Sequence, residues 1–587
     1  MTQFKRLTYP LFLLIIAYIL FINSDVKVII AGVAIFLIGM MFMEEGFKVF
    51  SGGMLENILK KSTSSTPKAI GVGFLSTAIV QSSSLVSIII ISFLSAELIS
   101  LAGAIGVVFG SNIGTTTTAW IVSSFGVKMK ITQFAMPMLI FGVIFKLNQN
   151  KNYQGLGSIL IGLGFVFLGI SFMKDGFEVL KSGLDLAQFS MQGYLGVLVY
   201  ILIGAAATVI MQSSSATMAL IITALVTNQI LYLNALELAI GANIGTTVTA
   251  ILGSLSSNEN GKRLAVAHLI FNIVTAFIAI VFLYQLADLT SYLSERIGIA
   301  SDDYAMQLAL FHTIFNLIGV IVVSPFTSSL VKYLQSLFVK EAHDISRARY
   351  LDNTVVEVPE VAILALKKEI VHLYANATEA LSHALSLHRH TFIGMGDEIS
   401  QVVKSSVTML DINIDDFYNK KIKILYGDII SYATMSQETM DQEGKDKVYS
   451  LKIACRDIVE TIKDVKELQK NLDRFIKSKN EYIHGEYDYL REEIAMILDG
   501  IHTLKNSNND DFDKLAKIKV LEENLDNYDA NIHKRIDNLI RKNLIETKMA
   551  TSLINDSGYA YSISKKLINV AGLLWIDDTL IQKLGEE

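Results

Sequence analysis

Residues 77–88 read TAIVQSSSLVSI, an amide and three hydroxyls set inside a run otherwise built of apolar side chains. The surrounding apolar segment, residues 69–96, would make one helix of about 42 Å, longer than a hydrocarbon core of about 30 Å. Its polar group falls near the middle. Two arms meeting at Gln81–Ser84 would each reach about the midplane, which predicts a re-entrant hairpin. Irregular backbone at that depth survives only where protein or a water-filled cavity surrounds it. The same four polar letters return in TVIMQSSSATMA at 208–219, so residues 200–227 predict a second hairpin.

Charge divides the chain in two. Of 106 charged residues, 32 lie in the first 340 positions and 74 in the last 247, so charge density rises from about 9% to about 30% near Lys340. Residues 1–340 read as a membrane domain, and residues 341–587 as a soluble acidic domain with 32 positive and 42 negative side chains. That balance argues against nucleic acid as a partner. The one cysteine, Cys455, allows no intrachain disulfide and suits a cytoplasmic location for the tail. Residues 5–22 place basic residues before an apolar run but lack a small-x-small cleavage pattern, so a retained first span is expected at 7–22.

Self-comparison finds an internal duplication. GMMFMEEGFKVFSGG at 39–53 matches GISFMKDGFEVLKSG at 169–183, QSSS at Gln81 matches QSSS at Gln212, and GSNIGTT at Gly110 matches GANIGTT at Gly241. Repeat one covers about 28–126 and repeat two about 157–256. With the hairpins set aside, crossings are expected at 7–22, 26–47, 100–123, 131–146, 157–173, 235–253, 264–284 and 307–325. Both termini then share a face with Lys5, Arg6, Lys48, Lys60, Lys61, Lys68, Lys146, Lys151, Lys262, Arg263 and Lys332, which the positive-inside rule makes cytoplasmic. Lys128, Lys130, Lys174 and Lys181 oppose that assignment. The crossing at 131–146 inverts the second repeat relative to the first, the usual build of secondary transporters.

The polar blocks are almost free of formal charge: Glu97 stands alone between Ala69 and Val127, and Glu237 alone between Leu186 and Asn258. Amides, hydroxyls and backbone groups can hold a hard cation through oxygen and an oxyanion through N–H and O–H donors. Close packing of small residues is the plainer reading of the serines, but it explains neither their succession nor the repeated glutamine. AHLIFN at 267–272 and FHTIFN at 311–316 each place a histidine four residues before an asparagine, a pattern that also serves helix-to-helix hydrogen bonding. Glu45 and Asp175 occupy matching places in the repeats and are expected to hydrogen-bond nearby backbone.

Across roughly residues 28–325, the paired QSSS and G-x-NIGTT blocks resemble those of the type II sodium-dependent phosphate cotransporters. The resemblance implies a phosphate site at Gln212, Ser213, Ser214, Ser215, Ser83, Ser84, Thr246 and Thr247. It implies sodium ligands among Gln81, Ser82, Ser83, Asn112, Thr115, Thr116, Ser213 and Asn243. A cytoplasmic-membrane symporter of phosphate with co-transported sodium follows as the expectation. Another oxyanion as cargo, and a phosphate sensor signalling through the tail, are the alternatives.

After Pro359 the sequence turns to amphipathic helical patterns at 361–385 and 448–472, with polar breaks near 480–488 and 506–511. No phosphate loop, nucleophile arrangement or zinc-like spacing appears, so an antiparallel helical bundle without enzymatic chemistry is expected. This half resembles a PhoU-like domain. Glu460 and Asp464 look like half of that family's metal pattern and are a candidate divalent-metal pair, or simply a charged face. The whole reads as an all-α polytopic membrane protein of two inverted repeats with a cytoplasmic bundle, its candidate partners being phosphate, the bilayer and a second copy of the chain.

Overall fold

The computed structural model describes residues 24–51, 63, 65–95, 97–126, 132–183, 191, 193–254, 257–338, 346–352, 356, 359–406, 408, 410, 413–507 and 511–576. The span expected at 7–22 lies outside them, as do Lys5, Arg6, Lys60, Lys61, Lys128 and Lys130. Contacts divide the chain into two units, Met1–Lys340 and Glu341–Glu587. Among the described residues both units are helical, with no strand.

The first unit runs α1 Ser24–Ser51, α2 Thr66–Val80, α3 Ser83–Ser95, α4 Leu101–Ile121, α5 Thr132–Lys146, α6 Lys151–Gly183, α7 Gly193–Met211, α8 Ser214–Val226, α9 Tyr232–Ser254, α10 Glu259–Val281, α11 Leu283–Arg296, α12 Tyr304–Val323 and α13 Thr327–Leu337. Six helical stretches, Val26–Phe47, Lys151–Lys181, Gly193–Met211, Tyr232–Leu252, Glu259–Val281 and Tyr304–Leu337, the last running through α12 and α13, are long and apolar enough to cross a membrane. Two expected crossings are not among those six. α4 is diluted by its own polar stripe of four threonines, and α5 has 15 residues, about 22 Å of helix. α7 begins at Gly193, seven residues before the expected hairpin, and its 19 residues are about 28 Å long.

Both polar tetrapeptides break their helices in the same way. Gln81 and Gln212 adopt left-handed backbone (φ 58° and 52°), which ends α2 and α7. The following serine then caps the outgoing helix: Ser82 Oγ accepts from Leu85 N at 3.2 Å, and Ser213 Oγ accepts from Ala216 N at 3.1 Å. The duplication extends to the far ends of α3 and α8, where Glu97 and Asn228 are again left-handed (φ 53° and 54°). Each lies 131 residues from its mate, so a non-glycine left-handed residue, which costs about 1–2 kcal/mol, recurs at both ends of both short helices.

Helix directions follow from close approaches. Thr63 lies against Gly103, Ile70 against Gly110 and Thr77 against Gly114, so α2 and α4 run parallel and α3 must return the chain to where α2 began. In the second copy Gly241 meets Ile201 and Gly245 meets Thr208, and α7 and α9 run parallel likewise. The two copies differ in what their helix ends meet. The end of α3 meets the start of α10 through Ser95 Oγ and Asn258 Oδ1 (3.1 Å), whereas the start of α9 meets the start of α12, with the Tyr232 and Tyr304 rings 5.1 Å apart. Since Ser123, just past α4, bonds the Ala305 carbonyl at the head of α12, α4 ends on the face where α9 begins.

The equivalent helices α1 and α6 pack antiparallel along glycines spaced seven residues apart. A Cβ on Gly32, Gly39 or Gly46 would come within 2.6 Å of the α6 backbone, and Gly162 and Gly169 meet α1 as tightly. Such seams replace the hydrophobic drive that helices lack inside a lipid.

The second unit is a bundle of α14 Pro359–Ala384, α15 Lys423–Ser436, α16 Gln442–Phe475, α17 Glu481–Asn506, α18 Asp511–Arg541 and α19 Thr547–Trp575, with short helical turns between the first two. Leucine and isoleucine from all six fill its core. The expected break at 480–488 is confined to its first residue, because the Asn480 side chain caps the N–H groups of Tyr482 and Ile483 and starts α17 at once. Fully buried Arg491 holds the short turns in place, donating to the carbonyls of Leu385 and Ser406 at 2.8 Å while pairing with Asp488 at 2.8 Å.

The expected metal pair is not a metal site. Lys566 reaches Asp464 at 2.8 Å and Glu460 at 3.3 Å, and Ser562 donates to Asp464 at 2.8 Å, so a lysine ammonium stands where a divalent cation would. No group of three metal-ligating side chains occurs among the described residues.

Candidate ion and substrate site

The two tips touch at one hydroxyl. Thr118 Oγ1 donates to Gln81 Oε1 at 2.8 Å and shares a 3.1 Å hydrogen bond with Ser215 Oγ, joining repeat one to repeat two. The other side of the Gln81 amide is also taken, with Nε2 donating to Thr117 Oγ1 at 2.8 Å and to the Ala78 carbonyl. Gln81 is therefore a sealed residue, 7% exposed. Gln212, its mate, is exposed, and no described residue bonds its amide. The reason is local: where repeat one has Thr117, repeat two has Val248, and Thr249 spends its hydroxyl on the Thr246 carbonyl at 2.7 Å.

Ser82 Oγ also donates to Glu44 Oε2 at 3.3 Å. An acid therefore accompanies the first polar block, which corrects the expectation of a neutral pair of sites. Glu44 sits on α1 and its repeat position is Lys174, so the copies carry opposite charge there. Neighbouring Glu45 pairs with Lys146 at 3.1 Å rather than with backbone.

A second polar knot lies on α9. Asn243 Nδ2 donates to Asn272 Oδ1 and to Asn316 Oδ1, both at 3.2 Å, and all three asparagines are buried. Backbone acceptors fix the amide orientations. Asn272 Nδ2 donates to the Asn243 carbonyl at 3.2 Å, and Asn316 Nδ2 donates to the His312 carbonyl at 2.9 Å, so each must present its oxygen to Asn243. Both N–H groups of Asn243 are thereby consumed and its Oδ1 is left as an acceptor. Asn112, the repeat-one mate, reaches the same end alone by donating to the Val108 carbonyl at 2.8 Å.

The other expected residues divide. Ser214 and Ser215 are buried on the first turn of α8, Ser83 is half-buried and Ser84 exposed on α3. Thr115, Thr116, Thr246 and Thr247 donate to carbonyls three residues back, all at 2.7 Å, and two of them also accept: Thr116 from Thr313 at 3.1 Å, Thr246 from Asn272 at 3.3 Å. Thr117 and Thr118, which the motif comparison passed over, are the threonines that meet the tip. The signal available was the run of four threonines in repeat one against two in repeat two.

Discontinuous helices meeting within a membrane bundle are a build in which carriers hold their cargo. Residues 35–175 and 186–308, all within the first unit, match the family described as Na+/Pi-cotransporter. Over 367 residues the chain is 28% identical to YjbB of Escherichia coli (strain K12), which is named as a candidate inorganic phosphate export protein, covering 62% of this chain and 65% of that one. The match thus spans less than two thirds of the length of YjbB. An uncharacterized protein of Bacillus subtilis (strain 168), YqeW, is 28% identical over 44% of this chain and 83% of its own. The mouse sodium-dependent phosphate transport protein 2A is 33% identical over 100 residues, 17% of this chain and 16% of that one. No solved structure matches.

Proposed function

We propose that the protein carries inorganic phosphate together with sodium across the cytoplasmic membrane by alternating access. The observation that carries this reading is the hydroxyl of Thr118, which ties Gln81 of one tip to Ser215 of the other. In this reading the hairpins enter from opposite faces and close on each other. The open Gln212 amide and the hydroxyls of Ser213, Ser214 and Ser215 bind phosphate, joined by Ser83, Ser84, Thr246 and Thr247. Sodium takes the oxygen side: Ser82, Ser83, Asn112, Thr115, Thr116, Ser213 and Asn243, with Asn243 Oδ1 held toward a cation by Asn272 and Asn316, while Gln81, its amide committed to Thr117, Thr118 and Ala78, orders the first tip. Glu44 supplies negative charge at the Ser82 end. Carrying both ions together avoids much of the several kcal/mol that either would cost alone at the bilayer centre.

Both termini are cytoplasmic in this topology, and the tail is a PhoU-like regulatory bundle. A homodimer is its expected assembly. Purified full-length protein in liposomes tests the reading: labelled phosphate should accumulate only with an inward sodium gradient. Uptake indifferent to sodium would reject the coupling. The names of the E. coli relatives favour a second reading, net export, in which an imposed outward phosphate gradient drives flux without any sodium requirement.

A further inference from the structure

A cavity of about 10 Å³, room for one oxygen atom, opens in the second unit between α14, the turn that follows it and α17. Its polar lining is Tyr374, Thr378 and Ser382 of α14, Arg389 of the turn, and His502 and Lys505 of α17. The Arg389 guanidinium is half-buried, and it has neither a hydrogen bond nor an ion pair with any described residue. The Lys505 ammonium has only the Trp575 ring, 5.8 Å from it. Burial and the charge of Arg389 hold that ammonium below the usual lysine range, so two cations press on each other with no carboxylate to answer them among the described residues. Acids close by in sequence are spent elsewhere, Glu379 on His383 at 3.2 Å and Asp499 on the Gly394 N–H.

The floor of the cavity carries an unanswered group of its own. Tyr374 is 4% exposed, its ring edge-on to Trp575 at 5.2 Å, and its hydroxyl has no partner among the described residues. Unlike the hydroxyls of Tyr432 and Tyr528, which are sealed in the core, it is not enclosed, and the cavity it lines is where it opens. Burial pushes it above the usual phenol range, so it stays a donor at physiological pH. Thr378 and Ser382 are the complement: their protons go to the carbonyls of Ala375 (3.1 Å) and Thr378 (2.7 Å), which leaves each only lone pairs to offer. An oxygen that accepts from Tyr374 and donates to one of these hydroxyls completes the cavity. Water does both but brings no charge for the two cations, and sulfate brings charge but no proton at neutral pH. The P–OH of inorganic phosphate does both, and its other oxygens are left at the mouth for charge-assisted donors. We propose that this pocket of Tyr374, Arg389 and Lys505 binds inorganic phosphate in the tail. In the topology proposed above the tail is cytoplasmic, so the site reads the phosphate pool on that side of the carrier.

The inference goes beyond the transport reading and is tested by equilibrium binding, which stays readable if flux fails. Labelled inorganic phosphate is titrated onto full-length protein in phosphatidylcholine nanodiscs, in the Gln212→Ala, Ser214→Ala background that silences the tips. One phosphate per chain should still bind. Arg389→Gln should weaken that binding about tenfold and Arg389→Lys should restore part of it. Tyr374→Phe, which keeps the ring against Trp575, should weaken it a few-fold, and sulfate should compete about tenfold less well than phosphate. No binding, binding indifferent to Arg389→Gln, or displacement by sulfate or chloride as readily as by phosphate would overturn the proposal. So would binding that appears only after Asp577→Asn with Asp578→Asn, since the chain's own acids would then be the occupant. Sodium-driven uptake without Arg389-dependent binding would reject this pocket alone, and the converse would reject the transport reading alone.

Discussion

The two QSSS tips share their backbone and differ in everything around it. Both turn at a left-handed glutamine and both restart a helix on a serine cap. Yet Gln81 spends its whole amide on Thr117, Thr118 and Ala78, while Gln212 stands exposed in a copy that has Val248 where the first has Thr117. Duplication thus preserved the fold of the tip and let the neighbouring helix decide whether its amide is structural or available. One copy is the latch and the other the hand.

The largest expected effect follows from that division. Gln212→Ala with Ser214→Ala should reduce phosphate flux at least a hundredfold and leave thermal stability within about 1 kcal/mol, because the open amide holds cargo and not the fold. Gln81→Ala should lower both flux and stability, the latter by about 1–3 kcal/mol, since it takes an acceptor from buried Thr118 and a donor from half-buried Thr117. Equal losses of stability at the two positions, read by thermal melts of the purified protein, would erase the distinction.

Thr118→Val comes next. It cuts the link between tips and leaves Gln81 Oε1 without a donor, so the KM for phosphate should rise about tenfold, and Thr118→Ser should restore it. A smaller effect is expected on trading the neighbours. Val248→Thr gives Gln212 a partner and should weaken phosphate binding a few-fold, whereas Thr117→Val opens Gln81 and should leave phosphate binding unchanged. Smallest is Glu44→Gln, which should shift the sodium concentration for half-maximal uptake by about threefold and spare the phosphate KM.

The sequence made the repeat, both break points and the bundle character of the tail readable, because identical letters at one spacing need no knowledge of what touches what. Residues peculiar to one copy were invisible to the same comparison. Thr117 has Val248 as its mate and Glu44 has Lys174, while Thr118 and Thr249 share a letter beyond the matched block and differ in what they bond. The Asn272 and Asn316 pattern was visible as helix-to-helix bonding, but their convergence on Asn243 depends on three helices meeting. Glu460 and Asp464 looked like a metal pair because Lys566, about a hundred residues further on, shares no local pattern with them. The start of α7 was placed late because apolar residues before position 200 carry no break that separates an arm of a hairpin from a longer helix.

The central claim is that tips from opposed repeats meet at Thr118 and Ser215, and a reversible crosslink tests it most directly. The chain has one native cysteine, Cys455, buried in the tail, so a Cys455→Ala background carries no competing thiol. Their hydroxyl oxygens are 3.1 Å apart, which brings cysteines at these positions within disulfide reach. Thr118→Cys with Ser215→Cys should crosslink on mild oxidation in the membrane, stop labelled phosphate flux and recover it on reduction. Failure to crosslink, or full flux through the crosslinked protein, would contradict the account.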